Sequence, residues 1–300
     1  MTGLPDNAAR FTDPDEVCAH FEEGAAANLG AACRSGSIDV VHAPGRLIAS
    51  GDLHDSRAHF EKLVNAAGLG ESDPPEGRAH LTLHEIIHAE PEPGKPDLSY
   101  IALTRVAKLK ARHPEHVHTL LANHELAQVC GSVITKRGVP VVREFDRGLD
   151  LAFGDEAPRV RWAIEGFVRS MPLALRCVCP QGDILCAHSL PGPAMMGRFD
   201  PAVLRRELTE RDLEPITGSA FMMVWGRGHD EELLEDLTEA WGVNLFILGH
   251  EHAEEGHLLI EPNALVLSSD HHNGVYLPID LDHKPRLSEC PGMLVRFNDR

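Results

Sequence analysis

No apolar run in the chain approaches the roughly 20 residues that span a membrane. The opening residues, MTGLPDNAARFTDPDE, have neither the basic segment nor the apolar core of a secretory signal, so none is expected. Aromatic residues are scarce, with two Tyr and three Trp among 300 residues. The seven cysteines are an odd number, and no two share a Cys-x-x-Cys spacing. Basic residues are also short: 28 Lys and Arg stand against 46 Asp and Glu, a formal net charge of −18. These absences exclude a membrane-spanning protein, a collagen-like chain and a disulfide miniprotein. So acidic a surface repels a phosphate backbone, so bulk nucleic-acid binding is not expected. The acidity is spread out and reads mostly as solvated surface. Scattered thiols fit a reducing, cytoplasmic home. Cys177 and Cys179 alternate along an apparent strand and read as buried structural thiols.

Histidine, by contrast, is abundant at 19 residues. It is the commonest metal ligand, and the side chain that titrates unperturbed near neutrality. What matters is whether a fold would gather these residues in one place.

The chain reads as strands alternating with helices. Asp-Pro-Asp-Glu at 13–16 is a helix-start composition, and Val17, Phe21 and Ala25 follow at helical spacing. Strands are expected at 46–50, 80–87, 117–121, 175–178, 184–187, 245–248, 264–267 and 274–279. Helices are expected at 57–67, 98–112, around 160–168 and around 233–241, each with one apolar face. EPEPGKPD at 90–97 must be loop, because its prolines cannot continue a helix. The alternation implies an α/β sandwich with helices on both faces of the sheet, in one domain.

Five expected strands end in polar clusters. They are Asp52-Leu53-His54, His84-Glu85, Asn123-His124-Glu125, His188, and His250-Glu251-His252. In open α/β sheets functional groups collect at the carboxyl ends of strands. Two divalent cations about 3.5–4 Å apart need a bridging carboxylate with imidazole, carbonyl or carboxylate ligands on each side. The D-x-H and H-x-H pairs place both members on one side of an extended chain. Surface or capping roles explain any one of these residues, but not all five ends.

At these positions the sequence resembles the calcineurin-like metallophosphoesterases, nearest the phosphoprotein-phosphatase branch. GDLHD at 51–55 is similar to that family's GDxHG, ANHE at 122–125 to GNHE, LCAHSLPG at 185–192 to its strand-plus-His block, and LGHEH at 248–252 to GHxH. Weaker similarity runs through 171–174, 223–225 and 267–280. The resemblance implies a sandwich of mixed β-sheets flanked by helices, over residues 40–285. Residues 1–39 would be a helical extension, and 286–300 a tail. It further implies two divalent metal ions. One would be held by Asp52, His54 and His252, the other by Asn123, His188 and His250, with Glu85 as the bridge. His124 would protonate the leaving oxygen, and hydroxide held by the metals would attack phosphorus in line. Manganese, iron and zinc all suit mixed N/O ligands. The implied substrate is a phosphate ester, a phosphoprotein or a nucleotide.

The second block departs from the family's GDxVDRG. Glu85 is longer than the expected aspartate, His88 replaces the aspartate that would orient His124, and Ala89 removes a phosphate-clamping arginine. Arg227 is the candidate substitute. The block also spells His84-Glu85-Ile86-Ile87-His88, the H-E-x-x-H of zinc peptidases, which requires a helix. A third reading is a non-catalytic metal-binding relative. His113, His116 and His118 are expected at the surface, and His271, His272 and Asn273 near the edge of the site.

Overall fold

The structure is a computed structural model that describes residues 11–71 and 73–298. Residues 1–10 of the expected extension, on which the reading of the N-terminus rests, and 299–300 of the expected tail lie outside the described residues. In chain order the elements begin with α1 (Pro14–Gly30), β1 (Arg34–Ser35), β2 (Ile38–His42), β3 (Arg46–Ser50), α2 (Arg57–Ala66), β4 (His80–Leu83), α3 (Tyr100–Arg112) and β5 (Val117–Thr119). Next come α4 (Asn123–Cys130), β6 (Thr135–Lys136), β7 (Val139–Pro140), α5 (Val141–Phe153), α6 (Ala157–Ser170), β8 (Ala174–Val178) and β9 (Asp183–Ala187). The last are α7 (Glu210–Leu213), α8 (Ser219–Trp225), α9 (Glu231–Trp241), β10 (Val243–Leu248), β11 (His257–Ile260), β12 (Ala264–Leu267), β13 (Val275–Asp280) and β14 (Val295–Arg296).

Two mixed sheets carry the fold. One runs β1-β2-β8-β9-β10-β12-β11, the other β14-β13-β3-β4-β5, and β6 and β7 form a separate hairpin. Side chains alternate across each strand, as the strand period requires. Leu47 and Ala49 of β3 share one core with Leu175, Cys177, Ile184, Cys186, Leu245 and Ile247 from the other sheet. Their neighbours Ile48, Leu185, Phe246 and Leu248 point the other way, into the core that includes helical residues such as Phe21, Val106 and Phe167. The result is a sheet-on-sheet sandwich with helices outside it. Cys177 and Cys186 fill the intersheet core, and all seven cysteines are free.

Local signals account for the first helix. The Asp13 carboxylate accepts from the Asp15 N–H at 2.9 Å, and Pro14 sits in the first turn, where a missing N–H costs little. The helix packs against α3 and α6, burying Val17 and Phe21.

Two expected strands end early. β4 stops at Leu83 and β5 at Thr119, so the residues that follow them are irregular and turn toward one another. The surface expected for the histidines near β5 fails for two of the three: His113 and His118 are buried. His118 faces inward because it pairs with Asp39 of the other sheet, Nδ1 to Oδ2 at 2.7 Å.

Candidate metal centre

The carboxyl ends of β3, β4, β5, β9 and β10 converge. Parallel pairing sets this up: β3 with β4, β4 with β5, and β9 with β10 all run in the same direction. The backbone is strained where it turns off the strands. Among the described residues, seven non-glycines have positive φ, and five of them are His54 (40°), Asp55 (64°), Glu85 (48°), His88 (60°) and His250 (68°). Such conformations cost free energy for residues with a Cβ and cluster at functional sites. At Gly249 the approach is so close that a Cβ would lie 2.3 Å from Asp52 Oδ1 and 2.5 Å from His84 Cε1.

Glu85 sits at the middle. Its Oε1 is 2.7 Å from His54 Nε2 and 3.7 Å from His124 Nε2, and its Oε2 is 2.8 Å from His188 Nε2. His188 Nε2 also lies 2.7 Å from Asn123 Oδ1 and 3.1 Å from His250 Nδ1. Both Asp52 oxygens accept from the His250 backbone N–H, at 3.0 and 2.9 Å. Three potential ligand groups result: Asp52, His84 and His188; His54, Glu85 and His124; and Glu85, His188 and His250.

The charges are strongly coupled. Burial and the Glu85 charge push the Asp52 carboxyl up, yet hydrogen bonds from His188 and His84 prevail and hold it well below the usual range. Burial also opposes ionisation of Glu85, but the His124, His54 and His188 imidazoles pull it well down. For His188, burial disfavours the cation, while Glu85 and Asp52 outweigh burial and raise it to about 10. Burial and the His188 charge press His250 down to about 3.

This donor set fits divalent cations. His250 Nε2 is buried with no hydrogen-bond partner among the described residues, and the buried Glu85 Oε2 has none beyond its 2.8 Å ion pair with His188 Nε2. Leaving such atoms unpaired costs about 1–3 kcal/mol each, more for a charged group. A cation taking mixed carboxylate, amide and imidazole ligands would satisfy both.

Beside the cluster runs a chain of hydrogen bonds that orients His124. Arg161 Nε donates to Asp146 Oδ1 at 3.0 Å, and Gln128 Nε2 donates to the same oxygen at 3.1 Å. That turns Gln128 Oε1 toward His88 Nε2, 2.9 Å away, so His88 Nε2 carries the proton. His88 Nδ1 is then the acceptor for His124 Nδ1–H at 2.8 Å. His124 Nε2 is left facing Glu85. Burial drives the His124 cation down, more strongly than the Glu85 charge supports it.

Asp52, His54, Glu85, Asn123, His124, His188 and His250 are thus brought together. His252 is not: it is exposed, its ring 5.2 Å from that of His271, and it joins none of the three groups. Arg227 is exposed and reaches the cluster's edge, Nη2 to His250 Nδ1 at 3.5 Å. The sequence reading missed His84. Its Nε2 lies 2.9 Å from the Ser50 carbonyl and its Nδ1 3.3 Å from Asp52 Oδ1. Its signal was its place beside Glu85 at a strand end.

The H-E-x-x-H segment is not helical, so His84 and His88 share no helix face. They bond instead to different neighbours. A fourth group, Cys33, Asp39 and His118, lies away from the site. Arg34 Nη1 is 3.6 Å from Asp39 Oδ1, and burial of that carboxyl is outweighed by His118, Lys110 and Arg34. Arg34 already supplies a cation beside Asp39, and the His118–Asp39 hydrogen bond links the two sheets.

No family model matches the chain, and no curated protein matches it in sequence. Solved structures match its fold. A protein serine/threonine phosphatase from Saccharomyces cerevisiae, with similarity to human phosphatase PP5, superposes with a TM-score of 0.65 at 12% identity, covering 89% of this chain and 83% of that one. The cold-active protein-tyrosine phosphatase of a psychrophile, Shewanella sp., gives 0.54 at 14% identity, covering 80% and 77%. The fold is that of the calcineurin-like metallophosphoesterases.

Proposed function

We propose that this chain is a metal-dependent phosphoric ester hydrolase, a phosphatase with a dinuclear centre. One observation carries the reading: Glu85 belongs to two ligand groups at once, with His54 and His124 on one side and His188 and His250 on the other. A carboxylate so shared is what a bridged metal pair requires.

Asp52, His54 and Glu85 would hold one ion, and Glu85, Asn123, His188 and His250 the other. When bound, two such ions supply Lewis acidity toward phosphoryl oxygens and acidify a water for in-line attack on phosphorus. His124 would deliver a proton from Nε2 to the leaving oxygen as the imidazolium, since its Nδ1–H is committed to His88. Arg227, at the His250 edge, contacts the phosphoryl oxygens. His252 is left out of the ligand set because it is exposed and lies against His271.

Manganese, iron and zinc suit the ligands. The substrate is a phosphate ester, of the phosphoprotein or nucleotide class. Seven free thiols favour a cytoplasmic home. No helix among the described residues is long and apolar enough to cross a membrane.

His88 and Ala89 favour one second reading, a metal-binding relative without turnover. Elemental analysis of protein purified without chelator, run beside a panel of phosphate esters, tests both. The expected result is two metal equivalents and metal-dependent release of phosphate, with occupancy lowered by Glu85→Ala and largely kept by Glu85→Asp. Metal without turnover favours the second reading, and neither metal nor turnover rejects both.

A further inference from the structure

A phosphate monoester brings two negative charges to a cluster that already contains Asp52 and Glu85. A protein of net charge −18 must offset this locally. Arg227 serves the His250 side. On the opposite side, beside the His88–His124 pair, one half-buried cation stands out.

Lys136 ends β6. The hairpin turns through Arg137 (φ 49°) and Gly138 (φ 79°), the pair of left-handed residues that suits a tight two-residue turn. It is pinned to the segment after β4 at two points. Arg137 Nε lies 2.6 Å from Glu90 Oε1, and Lys136 Nζ donates to the His88 carbonyl at 3.0 Å. An ammonium has three donors, and that carbonyl takes one. No other hydrogen bond to Lys136 Nζ is found among the described residues. Burial weakens the ammonium's charge, while Glu85, Glu90, Asp270 and Asp52 support it. Its charge in turn disfavours the cations of His54, His88 and His124. By its bond to the His88 carbonyl the ammonium stands beside the residue whose imidazole holds His124 at 2.8 Å, at that edge of the metal cluster. A half-buried lysine held in place by one carbonyl, with donors to spare, suits an anion that arrives from outside.

We propose that Lys136 is a phosphate-binding residue, gripping the phosphoryl group from the His54 side while Arg227 grips it from the His250 side. The inference rests on the phosphatase reading. It assigns to a hairpin on a separate element the positive charge that Ala89 does not supply.

The test uses the full-length, metal-loaded protein and its Lys136→Met, Lys136→Gln and Lys136→Arg variants. Inorganic phosphate serves as a competitive inhibitor, beside KM and kcat for an aryl phosphate. Metal content and thermal midpoint are measured on the same samples. Lys136→Gln removes the charge while keeping N–H donors, on a side chain one bond shorter. Losing a charge-assisted hydrogen bond should raise the inhibition constant for phosphate, and KM, by roughly ten- to hundred-fold, with metal content unchanged. Lys136→Arg should restore phosphate binding to within about threefold, since either cation can donate to phosphate. An inhibition constant unchanged in Lys136→Gln overturns the proposal, as does a loss equal in all three variants, which means that Lys136 only braces the loop. If Lys136→Met fails to fold, Lys136→Gln decides. Wild-type protein that binds metal but neither hydrolyses esters nor binds phosphate refutes the phosphatase reading itself, and the proposal with it.

Discussion

Gly249→Ala probes the closeness of the site's packing. Gly249 does not sit in the left-handed region, so its backbone admits alanine. The obstacle is space. A Cβ there would lie 2.3 Å from Asp52 Oδ1 and 2.5 Å from His84 Cε1, and real Cβ atoms essentially never come within 3.0 Å of a neighbour. Asp52 must therefore retreat by about 0.7 Å. It cannot do so freely, because both its oxygens hold the His250 N–H and Oδ1 lies 3.3 Å from His84 Nδ1 and 3.4 Å from His188 Nδ1. A misplacement near 1 Å at reacting groups can cost on the order of a hundredfold. Overpacking itself costs about 1–3 kcal/mol. Gly249→Ala should thus lose metal and lower kcat/KM on an aryl phosphate by roughly a hundredfold, with a fall of a few degrees in Tm. Gly166→Ala is the control: nothing lies within 4 Å of a Cβ there, within α6. It should stabilise the fold by about 0.4–1 kcal/mol and leave the site alone. Elemental analysis, steady-state kinetics and thermal melting on both variants decide the matter. Wild-type metal content and kcat/KM in Gly249→Ala would refute the packing argument.

Two further outcomes follow from the geometry. His124→Asn should keep its metal and slow turnover by roughly a hundred- to ten-thousand-fold, with a smaller loss on aryl than on alkyl esters, which steady-state kinetics on both will read; equal losses would remove His124 from the acid role. His188 without metal is held protonated up to about 10 and must be neutral to ligate, so metal binding at neutral pH should release roughly one proton or more. Affinity should therefore rise with pH, by up to about tenfold per unit from His188 alone, and calorimetry in buffers of different ionisation heat checks it. Affinity flat from neutral to mildly alkaline pH would contradict the coupling of His188 to Glu85 and Asp52.

Much of this was legible in the residues. Alternation at Leu47, Ile48 and Ala49, and at Leu245, Phe246, Ile247 and Leu248, marks strands buried on both faces, and the observed cores divide those residues between the two sides. Polar clusters that interrupt such runs at Asp52, Glu85, Asn123, His188 and His250 mark the strand ends. Strand and end are local properties, written in a few consecutive residues, so the motif set and the α/β class could be read without coordinates. The His84–His88 segment shows where this stops. Its letters fit a helix as well as a strand end, and pairing of β4 between β3 and β5 decides for the strand.

Local signals alone settle that the chain alternates strands with helices, that its strands end in potential metal ligands, and that its surface is acidic. Only the tertiary structure decided which of those ligands meet. Glu85 lies between His54 and His188 because three parallel strands stop at one level, and the left-handed turns that follow aim the side chains inward. His84 enters the cluster and His252 stays outside it, although both sit beside a candidate ligand in sequence. Asp39 and His118 are 79 residues apart, Gln128 and Asp146 are 18 apart, and the His88 carbonyl lies 48 residues before Lys136. Contacts of that kind depend on how layers stack and loops return. Adjacent residues carry no record of that, because a side chain's partners are set by distance in space rather than along the chain.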